Sequence, residues 1–411
     1  MNFMMGRCGK SRFLNGLSFL AAILFLCAVS CAQKPAPVKI GVLFSLTGNM
    51  AKTEKPVVDA ALLAVDEINQ AGGLLGAPVM PVVADGGSDL AQVTREAERL
   101  ITVEKVSAIV GCWTSACRKA VKPVVERRNN LLLYPLQYEG MEESKNIIYL
   151  GAAPNQQIIP ALVWTMKNFG KRIYLVGSDY VFPRIANIII KEIAAAQGGV
   201  VAGETYLPLG ETQVEKVVDD IKQKMPDVVL NTINGSTNDH FFKSLQEKGL
   251  TAASIPVVSF SVAEEDINGS PGIFAGHYAA WGYFQNNRLE KNIEFVKRFR
   301  EKYGAGRVIG DPMETAYIGV ILWANAVREA GTAAPETVNI QILHGSLNSP
   351  QGIVSVDSES RHLWQSVSIG RARADGQFDI VWSTPTTIMP SPYPEFHTRR
   401  QWLALTTAAA K

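Results

Sequence analysis

Catalytic motifs are scarce in this sequence of 411 residues. Its five histidines, His240, His277, His344, His362 and His397, are scattered, and none belongs to an H-E-x-x-H pair. There is no G-x-S-x-G elbow and no P-loop, and no G-x-G-x-x-G follows the first apolar strand. These gaps argue against metal-assisted hydrolysis, a serine hydrolase, an NTPase and a dinucleotide enzyme. Cysteine is also sparse: of five, only Cys112 and Cys117 lie beyond residue 31. No histidine cluster accompanies those two, so they are not a zinc site. In an oxidising compartment they can pair, or they can stay as two buried thiols. Charge is low at 19% Asp, Glu, Lys and Arg, and it is nearly balanced, with a formal net charge of +2. That leaves no general basic field for nucleic acid. Past the N-terminus, no segment is apolar for long enough to span a membrane.

What is present starts at the N-terminus. Arg7, Lys10 and Arg12 precede the apolar stretch 17–29, which has the length of a signal h-region rather than a membrane span. Ala28-Val29-Ser30-Cys31 then resembles a bacterial lipobox, with Cys31 as the lipidated residue. The expected product is exported and anchored to a bacterial membrane, periplasmic or at the cell surface. Residues 1–30 are read as signal peptide and 31–37 as tether. Loss of 1–30 leaves 37 basic against 38 acidic side chains, a formal charge of −1.

The mature chain alternates. Strands are expected at 39–44, 79–84, 106–110 and 131–133, with helices at 56–70, after Asp89, and from about Ala116. This order builds a right-handed parallel sheet. The pattern restarts with a helix at 156–169 and strands at 172–176, 200–206, 227–231 and 256–259. Two α/β lobes imply a cleft between them. Strong helices at 289–303 and 312–328 read as a return to the first lobe. Antiparallel strands at 352–356, 366–372 and 378–382 are placed on the second. The expected division is 38–153 with 286–345 as lobe 1, 154–285 with 346–395 as lobe 2, and 396–411 as a C-terminal tail. Three crossings between lobes would form a hinge.

In open α/β sheets, ligands sit at the carboxyl ends of strands. Those ends carry Trp113, Thr114 and Ser115; Tyr134, Gln137 and Tyr138; Tyr180; Asn234 and Gly235; and Ser261 with Glu264. The set is rich in aromatics, hydroxyls and amides, and suits a small, neutral, polar ligand. Thr114 or Ser115 can cap the helix that follows the third strand. Glu264 can accept from a ligand amide, although an acid there also suits a helix N-terminus. Neither a catalytic nor a metal constellation is visible.

Five motifs go further. Gly111-Cys-Trp-Thr-Ser115, Tyr134-Pro-Leu-Gln-Tyr-Glu-Gly140, Gly151-Ala-Ala-Pro-Asn-Gln156, Gly177-Ser-Asp-Tyr-Val-Phe-Pro-Arg184 and Asp311-Pro-Met-Glu-Thr-Ala-Tyr317 resemble the urea-type substrate-binding proteins of ABC transporters. Short-chain amide binders and cytoplasmic amide sensors share that lineage. The resemblance spans about 39–393. It implies a two-lobed α/β type I periplasmic binding fold, each lobe a mostly parallel sheet flanked by helices, with a three-segment hinge. It implies a receptor, not an enzyme, that closes on urea or a short-chain amide and delivers it to a permease, without a cofactor. By position, Ser115 resembles the hydroxyl that meets the ligand. Trp113 and Tyr134 form an aromatic wall, and Tyr180 reaches in from the opposite lobe. Two positions depart from the pattern. Ser236 follows Gly235 where urea-type members carry an acid, and Leu136 stands where amide sensors carry threonine. The alternatives are a receptor for another small solute, such as a branched-chain amino acid, or a ligand-sensing partner of a signalling protein.

Overall fold

The computed structural model describes residues 1–2 and 35–409. The signal segment and Cys31 lie outside the described residues. From Pro37 onward the chain forms one compact unit.

Its first sheet is parallel and has five strands: β1 (Val38–Phe44), β2 (Val79–Asp85), β3 (Ile109–Gly111), β4 (Leu132–Tyr134) and β5 (Ile147–Tyr149), in spatial order β2-β1-β3-β4-β5. In β1 every residue but Lys39 is buried, the pattern of a strand covered on both faces by crossover helices. Those helices are Ala51–Gln70, Leu90–Thr102 and Ser115–Arg127. The first starts five residues before Pro56, where the sequence reading began it. The added turn carries Glu54, whose carboxylate folds back to accept the Ser45 N–H at 2.6 Å. Asp89 caps the second helix, accepting from Gln92 N–H at 2.6 Å.

The second sheet contains β6 (Arg172–Ser178), β7 (Val200–Leu207), β8 (Val228–Thr232), β9 (Val257–Ser259) and β10 (Tyr278–Trp281), all parallel. After them comes a small antiparallel sheet of three strands: β11 (Ser346–Ser349), β12 (Gly352–Val356) and β13 (Leu363–Trp364). The second sheet is completed by antiparallel β14 (Ser368–Ala372) and β15 (Phe378–Ser383), giving the order β15-β14-β10-β9-β8-β6-β7. The sequence reading put 352–356 on the second lobe. Instead, Val354, Val356 and Leu363 pack into the first lobe's core. Strand periodicity shows which face is apolar but not which sheet it covers, and the partner β11, Ser-Leu-Asn-Ser, is too polar to signal a hairpin.

The helices Glu290–Tyr303 and Asp311–Ala330 return to the first core through Phe295, Phe299, Met313 and Trp323. The chain therefore passes between the two sheets three times: at 150–157, at 282–285 and at 365–367. The expected tail is also structured. Residues Arg399–Thr406 form a helix with a Thr398–Gln401 capping box. Its Trp402 is fully buried in the second lobe, donating its indole N–H to Pro394 O at 2.6 Å. Among the described residues no helix is long and apolar enough to cross a membrane.

Candidate ligand-binding site

The site grows out of the end of β3. Gly111 has φ +153°, and a Cβ there would stand 2.2 Å from Leu43 O, so only glycine lets the chain turn off the sheet at this point. Thr114 is the helix cap, its hydroxyl accepting from Cys117 N–H at 3.1 Å. Cys112 and Cys117 are paired in a disulfide, Cα atoms 6.2 Å apart, which ties the turn to the first turn of the helix. Trp113 is thereby held against the opposite lobe and donates its indole N–H to Asn234 Oδ1 at 3.4 Å.

Because Thr114 does the capping, Ser115 is free to face inward, where it is 2% exposed. Its hydroxyl donates to Glu139 Oε2 at 2.5 Å and accepts from Arg118 Nη1 at 3.0 Å. Arg118, one turn further along the same helix face, also donates to Glu139 Oε1 at 2.8 Å and to Glu142 Oε1 at 2.9 Å. Its guanidinium lies 4.9 Å from the ring centre of Tyr134 and 4.6 Å from that of Tyr138. Tyr134 donates to Trp113 O at 2.7 Å, which fixes the aromatic wall behind the turn. Arg118 and Glu139 are wholly buried. Burial would raise the Glu142 carboxyl, but Arg118, Lys119 and Lys122 outweigh it and bring the pKa down to about 2. The deep part of the site thus holds one wholly buried guanidinium between two carboxylates, with the partly exposed Lys119 and Lys122 lying 3.5 Å and 3.7 Å from Glu142 Oε2.

The second lobe supplies the facing wall. Tyr180 stands at the end of β6, its phenol pushed far up by burial and within reach of Tyr134, Glu139, Arg118 and Asn234. Asn234 is held by its own N–H bonded to Ser178 Oγ at 3.0 Å. Gly235 has φ +70°, and Met50 of the first lobe lies 3.6 Å from where its Cβ would be. Ser261 donates to Ile233 O at 2.5 Å and joins the ends of β8 and β9. Gln137 crosses from the first lobe to donate to Phe260 O at 2.9 Å. Its Oε1 is buried and has no partner among the described residues.

Two expected residues serve elsewhere. Tyr138 is behind Arg118, with its hydroxyl toward Glu142 O and 2.5 Å from His362 Nε2. Glu264 accepts the Gln285 N–H at 2.7 Å, on the chain crossing at 282–285, and Asp311 lies close enough to act on its charge. One carboxylate oxygen is thus engaged at that crossing, and the other is buried without a partner among the described residues. Arg118, Glu139 and Glu142 were not singled out from the sequence. The spacing of Ser115 and Arg118, three apart on one helix face, was the available signal for the arginine. Among the described residues no cluster of His, Cys, Asp or Glu could hold a metal ion.

The sequence model of the periplasmic binding protein domain matches residues 38–399. The chain belongs to the periplasmic binding protein family. These are the substrate-binding proteins of ABC transporters, so the cleft described above is that of a solute-binding receptor. Over 374 residues the chain is 23% identical to Leu/Ile/Val-binding protein homolog 6 of Brucella abortus, covering 88% of this chain and 94% of that one. A solute-binding protein of an ABC transporter from R. palustris, solved with 4-hydroxybenzoate, superposes with a TM-score of 0.79 at 22% identity, covering 86% of this chain and 98% of that one. At that identity the likeness speaks to the fold. A 118-residue stretch is 33% identical to a Limonene hydroxylase of Geobacillus stearothermophilus, but it covers only 29% of this chain and 22% of that protein's length.

Proposed function

We propose that this periplasmic binding protein captures urea or a short-chain amide by closing its two lobes, and passes it to an ABC permease. The observation that carries this reading is the saturation of Arg118. Its charge is met by Glu139 and Glu142, and Lys119 and Lys122 also lie against Glu142, so Arg118 offers no free partner to a carboxylate ligand, whether benzoate-like or the main-chain group of an amino acid. Ser115 has already donated its proton to Glu139 and accepted one from Arg118, and its remaining lone pair can only accept. The unpartnered Gln137 Oε1 is a second acceptor. Acceptors beside an arginine that is already paired suit a neutral ligand rich in N–H. Tyr180 is then the group placed to donate to the ligand's carbonyl from the other lobe.

Acetamide and acetate separate this reading from its rival, because they share a shape and differ in N–H and charge. Acetamide is expected to raise the melting temperature with concentration, as any ligand of the native state does, and acetate to leave it unchanged. A rise with acetate alone would point to a carboxylate receptor, the branched-chain amino acid reading included.

The receptor is further proposed to be exported and tethered through lipid on Cys31, as its lipobox-like sequence supports. Cys31→Ala should move the protein from the membrane fraction to the soluble extract. Wild-type protein already free in the extract would refute the tether.

A further inference from the structure

A separate cavity of about 180 Å³ lies beside the candidate site, on the other side of the Cys112–Cys117 turn. It is walled by Phe44, Met50, Val93 and the disulfide from the first lobe, and by Leu209 from the loop after β7 of the second. Leu209 packs against the first lobe's core, so the cavity is closed by contact between lobes. Elsewhere, an apolar cavity of ~150 Å³ is large enough to take a benzene-sized molecule.

One wall is chemically unlike the rest. Glu54 is only 3% exposed, yet its carboxyl lines the space. One oxygen accepts the Ser45 N–H at 2.6 Å, and the Ser45 side chain also acts on the carboxyl. No ion pair reaches it within those residues. Lys52 of its own helix is paired with Asp239 of the second lobe, and Lys55 is exposed. Asp85 at the end of β2 raises the Glu54 carboxyl further, and Asp89, the cap of the next helix, is a second acid in the cavity lining. The helix from Ser115 and the loop carrying Leu209 bring no charge into the lining. A buried carboxyl without a counter-ion, opening into an apolar cavity, lacks one thing: a cation small enough to enter.

We infer that this cavity is a second binding site, for a small alkylammonium ion whose charged head pairs with Glu54 and whose apolar body fills the space under Leu209. Burial, only partly offset by the Ser45 N–H, lifts the Glu54 carboxyl to about 7. Ammonium binding requires the ionised form. Affinity therefore rises with pH through the neutral range, and between pH 6 and pH 8 it should change by about tenfold. Occupancy also favours the closed protein, since Leu209 covers the ligand only when the lobes meet.

The test is titration calorimetry of the full-length protein with isobutylammonium chloride, and with isobutanol as its uncharged counterpart, at pH 6 and pH 8. The ammonium should bind more tightly at pH 8, the alcohol more weakly than the ammonium and without that pH trend. Glu54→Gln should weaken the ammonium at least tenfold and remove the pH trend. Leu209→Trp, which fills the cavity from the other lobe without touching Glu54, should abolish binding of both probes and decides the matter if Glu54→Gln does not fold. Saturating acetamide should not displace the ammonium. No binding of isobutylammonium at pH 8, equal binding of both probes, unchanged ammonium affinity in either variant, or displacement by acetamide would each overturn the inference.

Discussion

At the scale of single residues, the site is decided by where protons sit. Ser115 has one proton, and Glu139 takes it at 2.5 Å, so the serine meets a ligand as an acceptor. Ser115→Ala deletes that acceptor and also takes one partner each from Arg118 and Glu139. Loss of one hydrogen bond to a buried polar ligand should cost about 1–3 kcal/mol, roughly tenfold to a hundredfold in affinity. The same change should lower the melting temperature without ligand, because two buried charged groups lose a partner. Equilibrium binding of the proposed amide separates the two effects. A variant that melts lower but binds acetamide as tightly as wild type would reduce Ser115 to a prop for Arg118. The sequence reading singled out Ser115 and Trp113 as ligand-facing candidates, because small polar and aromatic residues there follow a short apolar strand. It left the capping role open between Thr114 and Ser115 and the cysteine pairing undecided. Both depend on side-chain directions that spacing does not specify.

At the scale of elements, the short helix Glu264–Ile267 and the start of the helix Asp311–Ala330 place carboxyls on the crossing at 282–285. Burial lifts Glu264 to about 8 and Asp311 to about 7. A carboxyl raised in the folded state holds a proton that the unfolded chain has lost above about pH 4.5, so its contribution fades as pH rises through the folded value. The buried His277 and His362 work the other way, lowered by burial to about 4 and about 3, and they penalise folding only below about pH 6.5. With two groups of each kind the opposing slopes roughly cancel between about pH 4.5 and 6.5, so stability should be highest there, fall between about pH 6.5 and 8, and level off above. Glu264→Gln keeps an acceptor for the Gln285 N–H and removes the titration. Its melting temperature should decline less than wild type's between pH 7 and pH 9. An equal decline in both proteins would remove Glu264 from the account. From sequence, this acid fitted a ligand contact or a helix N-terminus equally well. Its role is set by the approach of a chain segment 21 residues away, which local pattern does not register.

At the scale of the whole molecule, the alternation of strands and helices was enough to give two parallel sheets, because each buried strand and its crossover helix carry their own periodicity. The return of 289–328 to the first lobe was legible for the same reason: no new alternating unit of strand and helix follows those helices. The short strands β5, β10, β11 and β13 were not, being too brief or too polar to stand out, and β12 was expected as a strand but placed on the other lobe. In the proposed reading, the cleft between the lobes receives the solute, and the pairing of Arg118 with Glu139 and Glu142 favours a neutral one. Titration calorimetry of the purified protein with urea, acetamide, formamide, leucine and 4-hydroxybenzoate tests that claim most directly. The account predicts saturable binding of urea or at least one of the two amides, with no heat from leucine or 4-hydroxybenzoate. Tight binding of leucine or 4-hydroxybenzoate, with none of the neutral N–H donors binding, would contradict it.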